Sequence, residues 1–460
     1  MGTPLVRAIG VAVVLTASAC HLRPQVDNSQ YAPAVQRIVG ATPSWVGRDK
    51  VGAALWKAER QFYESRENLP AWFDGDRPSP RLGSLLDALK HSEDHGIDPA
   101  RYGLDHFQQI VTQADENRHR YEVERVPEID TRLTYAYLQY AADLLGWSGN
   151  PKAISTNWIR ASNNTDLAQQ LTKAVSSNQV RETLDELAPT HPQYKGLQAG
   201  LARERQHPTG HLDQIRMNLV RWRWMPRELG DRYVFVNVPA YQMQVMEGDK
   251  PVLAMRVVVG DPKHQTPLFN DEMTTIVFSP NWNVPESIIR KEMLPKLVDD
   301  PGFLQRQDIQ VVGTSGEVID ENAVDWFDES ALARLHFRQA PGPKNALGLV
   351  KFQFPNSFDV YMHDTPQDAL FNKERRALSH GCIRLENPVA LAEYVLRDNP
   401  EWTTDKIAAA MNAGQEHAVP LKKHLPVHIG YFTAWVNSDG SVTYTDDPYG
   451  LDEVQKLHPA

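Results

Sequence analysis

Tyr233-Val-Phe-Val-Asn-Val238 and Tyr241-Gln-Met-Gln-Val245, separated by Pro239-Ala240, decide the fold. Both runs are rich in β-branched and aromatic residues, and the Pro-Ala break between them is hairpin-like, so they read as paired strands. The same texture continues downstream in Val257–Val259, Thr274–Phe278, Val350–Phe354 and Asp359–Met362. Near the end, Tyr431–Val436 and Val442–Tyr444 flank Ser438-Asp-Gly-Ser441, a turn suited to a hairpin. Between Pro285 and Gln339 the pattern is interrupted by a long, mixed, partly helical stretch. An insertion of that size in a β domain is expected to form a lid or subdomain over a groove rather than a structureless loop.

Working upstream, the period changes from two to about 3.6. Leu82, Leu85, Leu86 and Leu89 form one apolar stripe, and Ile129, Leu133, Tyr137, Tyr140 and Leu144 another, after Pro127 and with Asp130 as N-cap. Segments near Leu55–Arg66, Leu104–Tyr121, Leu167–Leu187 and Tyr194–Arg205 read the same way. The expectation is an α+β chain: an all-α domain over 51–210, then a mostly β domain over 211–450 that carries a capping insertion at 285–339.

With 460 residues the chain has room for roughly three domains. Hydrophobic residues at 41% and charged residues at 23% describe an ordinary soluble protein. A formal charge of −10 excludes a broad basic surface for nucleic acid. A mean hydropathy of −0.47 excludes a polytopic membrane protein. Arg7, the apolar run Ala8–Leu15 and Thr16-Ala-Ser-Ala-Cys20 describe an export signal over residues 1–19, with residues 20–50 as a tether. Two cleavage chemistries compete: Ala17-Ser-Ala19 suits an ordinary signal peptidase, and Thr16–Cys20 resembles a bacterial lipobox that would place a lipid on Cys20. Cys20 and Cys382 are the two cysteines, and the context of each argues against a disulfide between them.

The strongest chemical signal is Ser379-His-Gly-Cys-Ile-Arg-Leu385. An unpaired thiol in an exported chain needs a reason. Gly381 permits a turn or close approach beside the sulfur, and the Arg384 charge favours thiolate. His363, 19 residues upstream at the end of a strand-like run, is the candidate base, with His380 as the competing one. Together they suggest Cys–His acyl transfer. His91 and His95 lack an evident third partner for a metal. Trp222 and Trp224 are expected to pack the two domains together, and Asp299-Asp300 to lie in a solvated turn.

His363-Asp-Thr-Pro366 and Ser379–Arg384 together resemble the catalytic signature of the bacterial L,D-transpeptidases, with their YkuD-type catalytic domain. Arg221–Pro226, Asn281-Trp-Asn-Val-Pro285, Pro341–Gly348 and Tyr431–Trp435 resemble the large YcbB-like branch, and Leu187–Tyr194 its scaffold domain. The resemblance implies a peptidoglycan enzyme that forms 3–3 cross-links through a cysteinyl acyl-enzyme and releases terminal D-alanine. It implies Cys382 as nucleophile, His363 as base, the carbonyl of Asp364 as its orienting group, and the N–H groups of Gly381 and Cys382 as oxyanion donors. Ser379, His380, Arg384, Tyr361 and Trp282 are implied to shape the site and bind substrate. The expected partners are donor and acceptor stem peptides, with membrane attachment through a lipidated Cys20, no nucleic acid and no cofactor. The expected location is the periplasm, as an outer-membrane lipoprotein in the lipobox reading. Water or a lipoprotein lysine as acceptor remains an alternative, as does a non-catalytic wall scaffold. One departure stands out: Gln206–Asp213 leaves no room for the small peptidoglycan-binding module that usually separates the two domains in this branch.

Overall fold

A computed structural model describes residues 27–116 and 123–458; the expected leader and Cys20 lie outside the described residues. The helical half is organised around the helix Val126–Leu144, most of whose residues are buried. Pro127 lies in its first turn, where a missing N–H breaks no helical bond, so the helix begins ahead of the expected cap. Asp130 is consequently inside the helix and fully buried. It accepts from the Tyr63 hydroxyl at 2.6 Å and from the amides of Ala71 and Trp72 at 2.9 and 2.8 Å. The helices Lys50–Ser65, Pro80–Lys90, Leu104–Glu116, Leu167–Ser177 and Val180–Asp185 contribute to the same core, including Leu82, Leu85 and Leu89 of the leucine stripe.

The tether expected to reach residue 50 does not extend that far. Residues Ala32–Val39 are helical, with Tyr31, Val35 and Val39 buried in the scaffold core. Their i, i+4, i+8 spacing is a short apolar stripe along one face of the helix. The Asn28 amide donates to Phe73 O at 2.9 Å, and Gly75 N donates to Asn28 Oδ1 at 2.7 Å, which ties the start of this segment down.

In the β domain the strand order is Ala377–Ser379, Lys250–Gly260, Ile383–Leu385, Met362–His363, Val350–Gln353, Asn270–Phe278, His417–Gly430, Arg232–Asn237, Gln242–Glu247. The last of these also pairs with Lys250–Gly260, so the sheet closes on itself and leaves few unpaired edges. The expected hairpin of Arg232–Asn237 and Gln242–Glu247 is antiparallel, with Tyr233 opposite Met246 and Asn237 opposite Gln242. The expected strand Asp359–Met362 shortens to Met362–His363. Asp359 adopts a left-handed φ of 54°, and the Asn356 side chain donates to the carbonyls of Phe354 and Val360, which holds a loop there.

The insertion is a subdomain with its own core of Val284, Met293, Leu297, Leu304, Ile309, Val311 and Phe337. Its four-stranded sheet runs in the order Trp282–Asn283, Leu335–Gln339, Ile309–Gly313, Val318–Ile319. Asn345 latches the two ends of the insertion, donating to Pro280 O, Gln339 O and Ala340 O at 2.9, 3.2 and 3.0 Å.

Scaffold and β domain meet along the helix Leu212–Arg223. Arg221 is fully buried and pairs with Asp452 at 2.6 Å, while its Nε donates to Gln455 Oε1 at 2.9 Å. Trp222 stacks on His191 and packs against Phe235, Phe432 and Trp435. The hairpin of Ala434–Val436 and Val442–Tyr444 lies not in the β-domain sheet but on the scaffold helix Pro192–Gln206. Gly196 and Gly200 on that helix make the approach possible: a Cβ at either would fall 2.7 or 2.9 Å from Val436 or Val442. No described helix is long and apolar enough to cross a membrane.

Two outcomes follow from this junction. Arg221→Ala strands the Asp452 carboxylate without its ion pair and should lower the unfolding free energy by about 3–5 kcal/mol in urea titrations. Acid should also weaken the fold. Burial, with neighbouring cations, holds His95 down to about 3, and burial holds His191 and His428 down to about 4. The unfolded chain therefore takes up protons near pH 6.5 that the folded chain refuses, and stability declines as pH falls from about 6.5 to 4. Urea midpoints at pH 7.5, 5.5 and 4.5 measure the decline, and His428→Gln should make it shallower.

Candidate active site

A parallel pairing two residues long assembles the site. Met362 lies opposite Ile383 and His363 opposite Arg384. Met362, Ile383 and Leu385 point into the β-domain core. Because strand side chains alternate, Tyr361, His363, Cys382 and Arg384 occupy the other face. The neighbouring antiparallel strand sets Lys351 opposite His363, between the core residues Val350 and Phe352. The two residues singled out by sequence spacing, His363 and Cys382, thus lie on neighbouring chain segments of one sheet.

His363 is buried, and its Nδ1 lies 2.5 Å from the carbonyl oxygen of Asp364. A carbonyl only accepts, so Nδ1 carries the hydrogen and Nε2 keeps its lone pair, the tautomer a base requires. Burial, reinforced by the Arg384 charge, pushes the ring down to about 3, so it is neutral at pH 7. The Asp364 carboxylate is used in the backbone turn, accepting from the amides of Leu349 and Thr365 at 2.7 Å each. Burial raises its pKa.

The Cys382 thiol is raised above its ordinary value by burial, opposed by the Tyr361 N–H, Lys351, the Tyr361 hydroxyl and Arg384. Arg384 acts in the expected direction, but desolvation outweighs it, so the resting sulfur is a thiol and not a thiolate. Tyr361, expected to bind substrate, acts on the ionisation of the sulfur itself. The turn before the sulfur needs glycine, because Gly381 has φ 114°.

Ser379 differs from its expected substrate-binding role. It is buried, donates to Cys382 O at 2.6 Å and accepts from Gly381 N at 3.2 Å. Its hydroxyl therefore shapes the turn, and the Gly381 N–H, expected in the oxyanion hole, already has a partner. Thr266 braces the same turn from outside, donating to Gly381 O at 2.9 Å. His380 is exposed; its Nε2 pairs with Glu292 of the insertion, and its ring lies 4.8 Å from that of His264. Arg384 donates to Gln367 Oε1 at 2.7 Å, and its Nε is buried without a hydrogen-bond partner. Trp282 pairs with Gln339 in the sheet of the insertion and packs, partly buried, on that subdomain's core. Lys351, Gln367, Glu292 and Thr266 escaped the sequence reading. For Lys351 a signal existed in the apolar–polar alternation of Val350–Gln353, once the strand is known to flank His363.

His91 and His95 turn to separate partners, the Asp87 carbonyl and the Tyr194 hydroxyl. Among the described residues no group of three or more His, Cys, Asp or Glu side chains is placed to hold a metal ion.

Fold and site define a protein in which a helical scaffold carries a mostly β domain with a cysteine and a histidine on one strand pair. Family models match both parts: a scaffold domain at residues 57–201 and an L,D-transpeptidase catalytic domain at residues 231–416. The chain thus carries an L,D-transpeptidase catalytic domain of the YkuD type behind a scaffold domain. A Haemophilus influenzae protein, provisionally named an L,D-transpeptidase, is 30% identical over 324 residues, covering 68% of this chain. The match spans 65% of that relative's length. Among solved structures, an L,D-transpeptidase from Mycobacterium smegmatis is 13% identical, over 43% of this chain and 58% of its own, with a TM-score of 0.20. L,D-transpeptidase 3 from Mycobacterium tuberculosis, in complex with a faropenem-derived adduct, is 14% identical over 44% and 60%, with a TM-score of 0.21.

The turn itself is testable. Gly381→Ala places a side chain on backbone that L-residues avoid, at a cost of about 1–3 kcal/mol. Urea unfolding of the variant should show that loss, and an unchanged midpoint would mean that the turn relaxes freely.

Proposed function

We propose that the chain is a peptidoglycan L,D-transpeptidase that forms 3–3 cross-links between stem peptides, with Cys382 as nucleophile and His363 as base. The observation that carries this reading is the shared strand face of Cys382 and His363, with His363 Nδ1 held by the Asp364 carbonyl. In the first half-reaction the Cys382 sulfur bonds to the carbonyl carbon of the donor's third stem residue. His363 Nε2 takes the thiol proton and returns it to the departing amine, and the C–N bond to terminal D-alanine breaks. The N–H of Cys382 is the assigned oxyanion donor; one such donor was worth about 3–4 kcal/mol where measured in another protease. In the second half-reaction the side-chain amine of an acceptor stem attacks the thioester, a C–N bond forms, and sulfur leaves and regains its proton. A neutral thiol beside a neutral imidazole suits this sequence, because the proton moves only as the carbon–sulfur bond forms.

Arg384, with a buried Nε lacking a partner, is assigned to a substrate carboxylate. The insertion is assigned as the cap of the groove, supported by the Glu292–His380 contact beside the catalytic turn. Export to the periplasm and lipidation of Cys20 complete the proposal and rest on the sequence of residues 1–20.

The test is incubation of the purified mature chain with disaccharide-tetrapeptide, followed by mass analysis. The expected products are 3–3 dimers and free D-alanine, together with a carbapenem adduct on the intact protein, all lost in Cys382→Ala. Shortened stems without dimers would make water the acceptor. An adduct of equal yield on Cys382→Ala would remove the nucleophile assignment. His363→Ala should slow adduct formation by about 10²–10⁴.

A further inference from the structure

Lys351 stands on the strand Val350–Gln353, opposite His363, and its Nζ lies 4.1 Å from the centroid of the Tyr361 ring. That ring carries a hydroxyl close enough to the Cys382 sulfur for each to influence the other's ionisation. The order ammonium, aromatic ring, hydroxyl, sulfur is therefore continuous. An ammonium on an aromatic face is attracted to it, and the contact strengthens when desolvated. It fixes the ring, and it draws electron density from the phenol, which makes the hydroxyl a better donor.

We propose that Lys351 is a positioning residue for the nucleophile: its ammonium holds the Tyr361 hydroxyl on the Cys382 sulfur and offsets the negative charge the sulfur gains on losing its proton. The inference rests on Cys382 being the nucleophile. The charged and titratable groups around the pair act consistently with it. The sulfur feels Tyr361, Lys351 and Arg384, all of which favour its anionic form against burial. Lys351, pulled down from its ordinary value by burial, is held up by Cys382, Glu416 and Asp359. His363, the remaining group on this face, is neutral and adds no charge of its own. Arg384 is engaged with Gln367. Lys351 is thus the cation whose contact runs through the residue that acts on the sulfur. Removing its charge leaves burial less opposed and shifts thiol ionisation to higher pH.

The experiment follows alkylation of Cys382 by iodoacetamide from pH 6.5 to 11.5, reading the Cys382 peptide by mass, in the parent chain, Lys351→Met, Lys351→Gln and Lys351→Arg. Thermal melting confirms that each variant is folded. Lys351→Met and Lys351→Gln should be alkylated about 3- to 30-fold more slowly at pH 7.5. Their profile midpoints should move up by roughly 0.5–1.5 pH units, and their rates should converge on the parent's at high pH. Lys351→Arg should keep the parental midpoint. A parental midpoint in Lys351→Met would overturn the proposal. So would an equal loss at every pH in all three variants, which is the signature of packing alone, or a parent thiol inert at every pH. Failure of the transpeptidase reading is seen separately: a parent that alkylates with the expected lysine dependence yet makes no dimers and takes no carbapenem leaves Lys351 in place and removes the reaction.

Discussion

The parallel pairing of Met362 with Ile383 and of His363 with Arg384 is the constraint on which the site depends. Parallel neighbours require a crossover, and here residues 364–382 supply it, first through the turn held by Asp364 and last through the Ser379–Cys382 turn. A slip of one residue would turn His363 into the core and bring Met362 out beside the sulfur. The register is secured from the core side, where Met362, Ile383 and Leu385 are buried. Apolar packing thus fixes the placement of polar groups that make few direct contacts with one another.

That placement has an electrostatic consequence. The face shared by Tyr361, His363, Cys382 and Arg384 is sufficiently withdrawn from water that neither thiol nor imidazole is charged at rest. A reactive cysteine is commonly explained by a lowered thiol pKa. Here burial wins, and the cations Lys351 and Arg384 reduce its effect without reversing it. In the proposed reaction, charge on sulfur would appear only in transit, which is when preorganised donors contribute most. The exposed edge is treated differently. His380 meets Glu292 of the insertion at a rim where both side chains are more than a third exposed, so the contact joins the insertion to the Ser379–Cys382 turn and adds little to stability.

Much of this was legible in the sequence, for identifiable reasons. The strand Arg232–Asn237 and its hairpin partner were readable because the first is a nearly unbroken apolar run, the second alternates polar and apolar residues, and the turn is local. The leucine stripe of Pro80–Lys90 was readable because a surface helix shows its period. Asp130 was misplaced because an acid after proline looks like a cap, whereas its partners Tyr63, Ala71 and Trp72 are some 60 residues distant in the chain. Tyr31, Val35 and Val39 were passed over because one large apolar residue per turn over a short helix makes a faint stripe, visible only against the core that receives it. At the site, Cys382 and His363 carry chemistry in their names. The turn role of Ser379 and the position of Lys351 depend on hydrogen bonds and on strand order, which no spacing rule reports.

The junction between the halves bears on how substrate is held. Residues 207–211 join the helix Pro192–Gln206 to Leu212–Arg223, and the Glu204 carboxylate gathers the amides of Thr209, Gly210 and His211 at 2.7, 2.8 and 2.9 Å. Those bonds, with the Thr209 hydroxyl, hold Glu204 down to about 2, so it stays ionised and the loop stays closed over it through the whole ordinary pH range. A separate module inserted there would have to break this arrangement. The next turns of the same helix carry Arg221 and Trp222 into the interface, and the C-terminal hairpin returns to lie on Gly196 and Gly200. Scaffold and β domain are therefore interlocked through the chain before the first strand and the chain after the last. With this linker closed on Glu204, the parts beside Cys382 that could select a substrate in the proposed reaction are the strand face and the insertion that touches it.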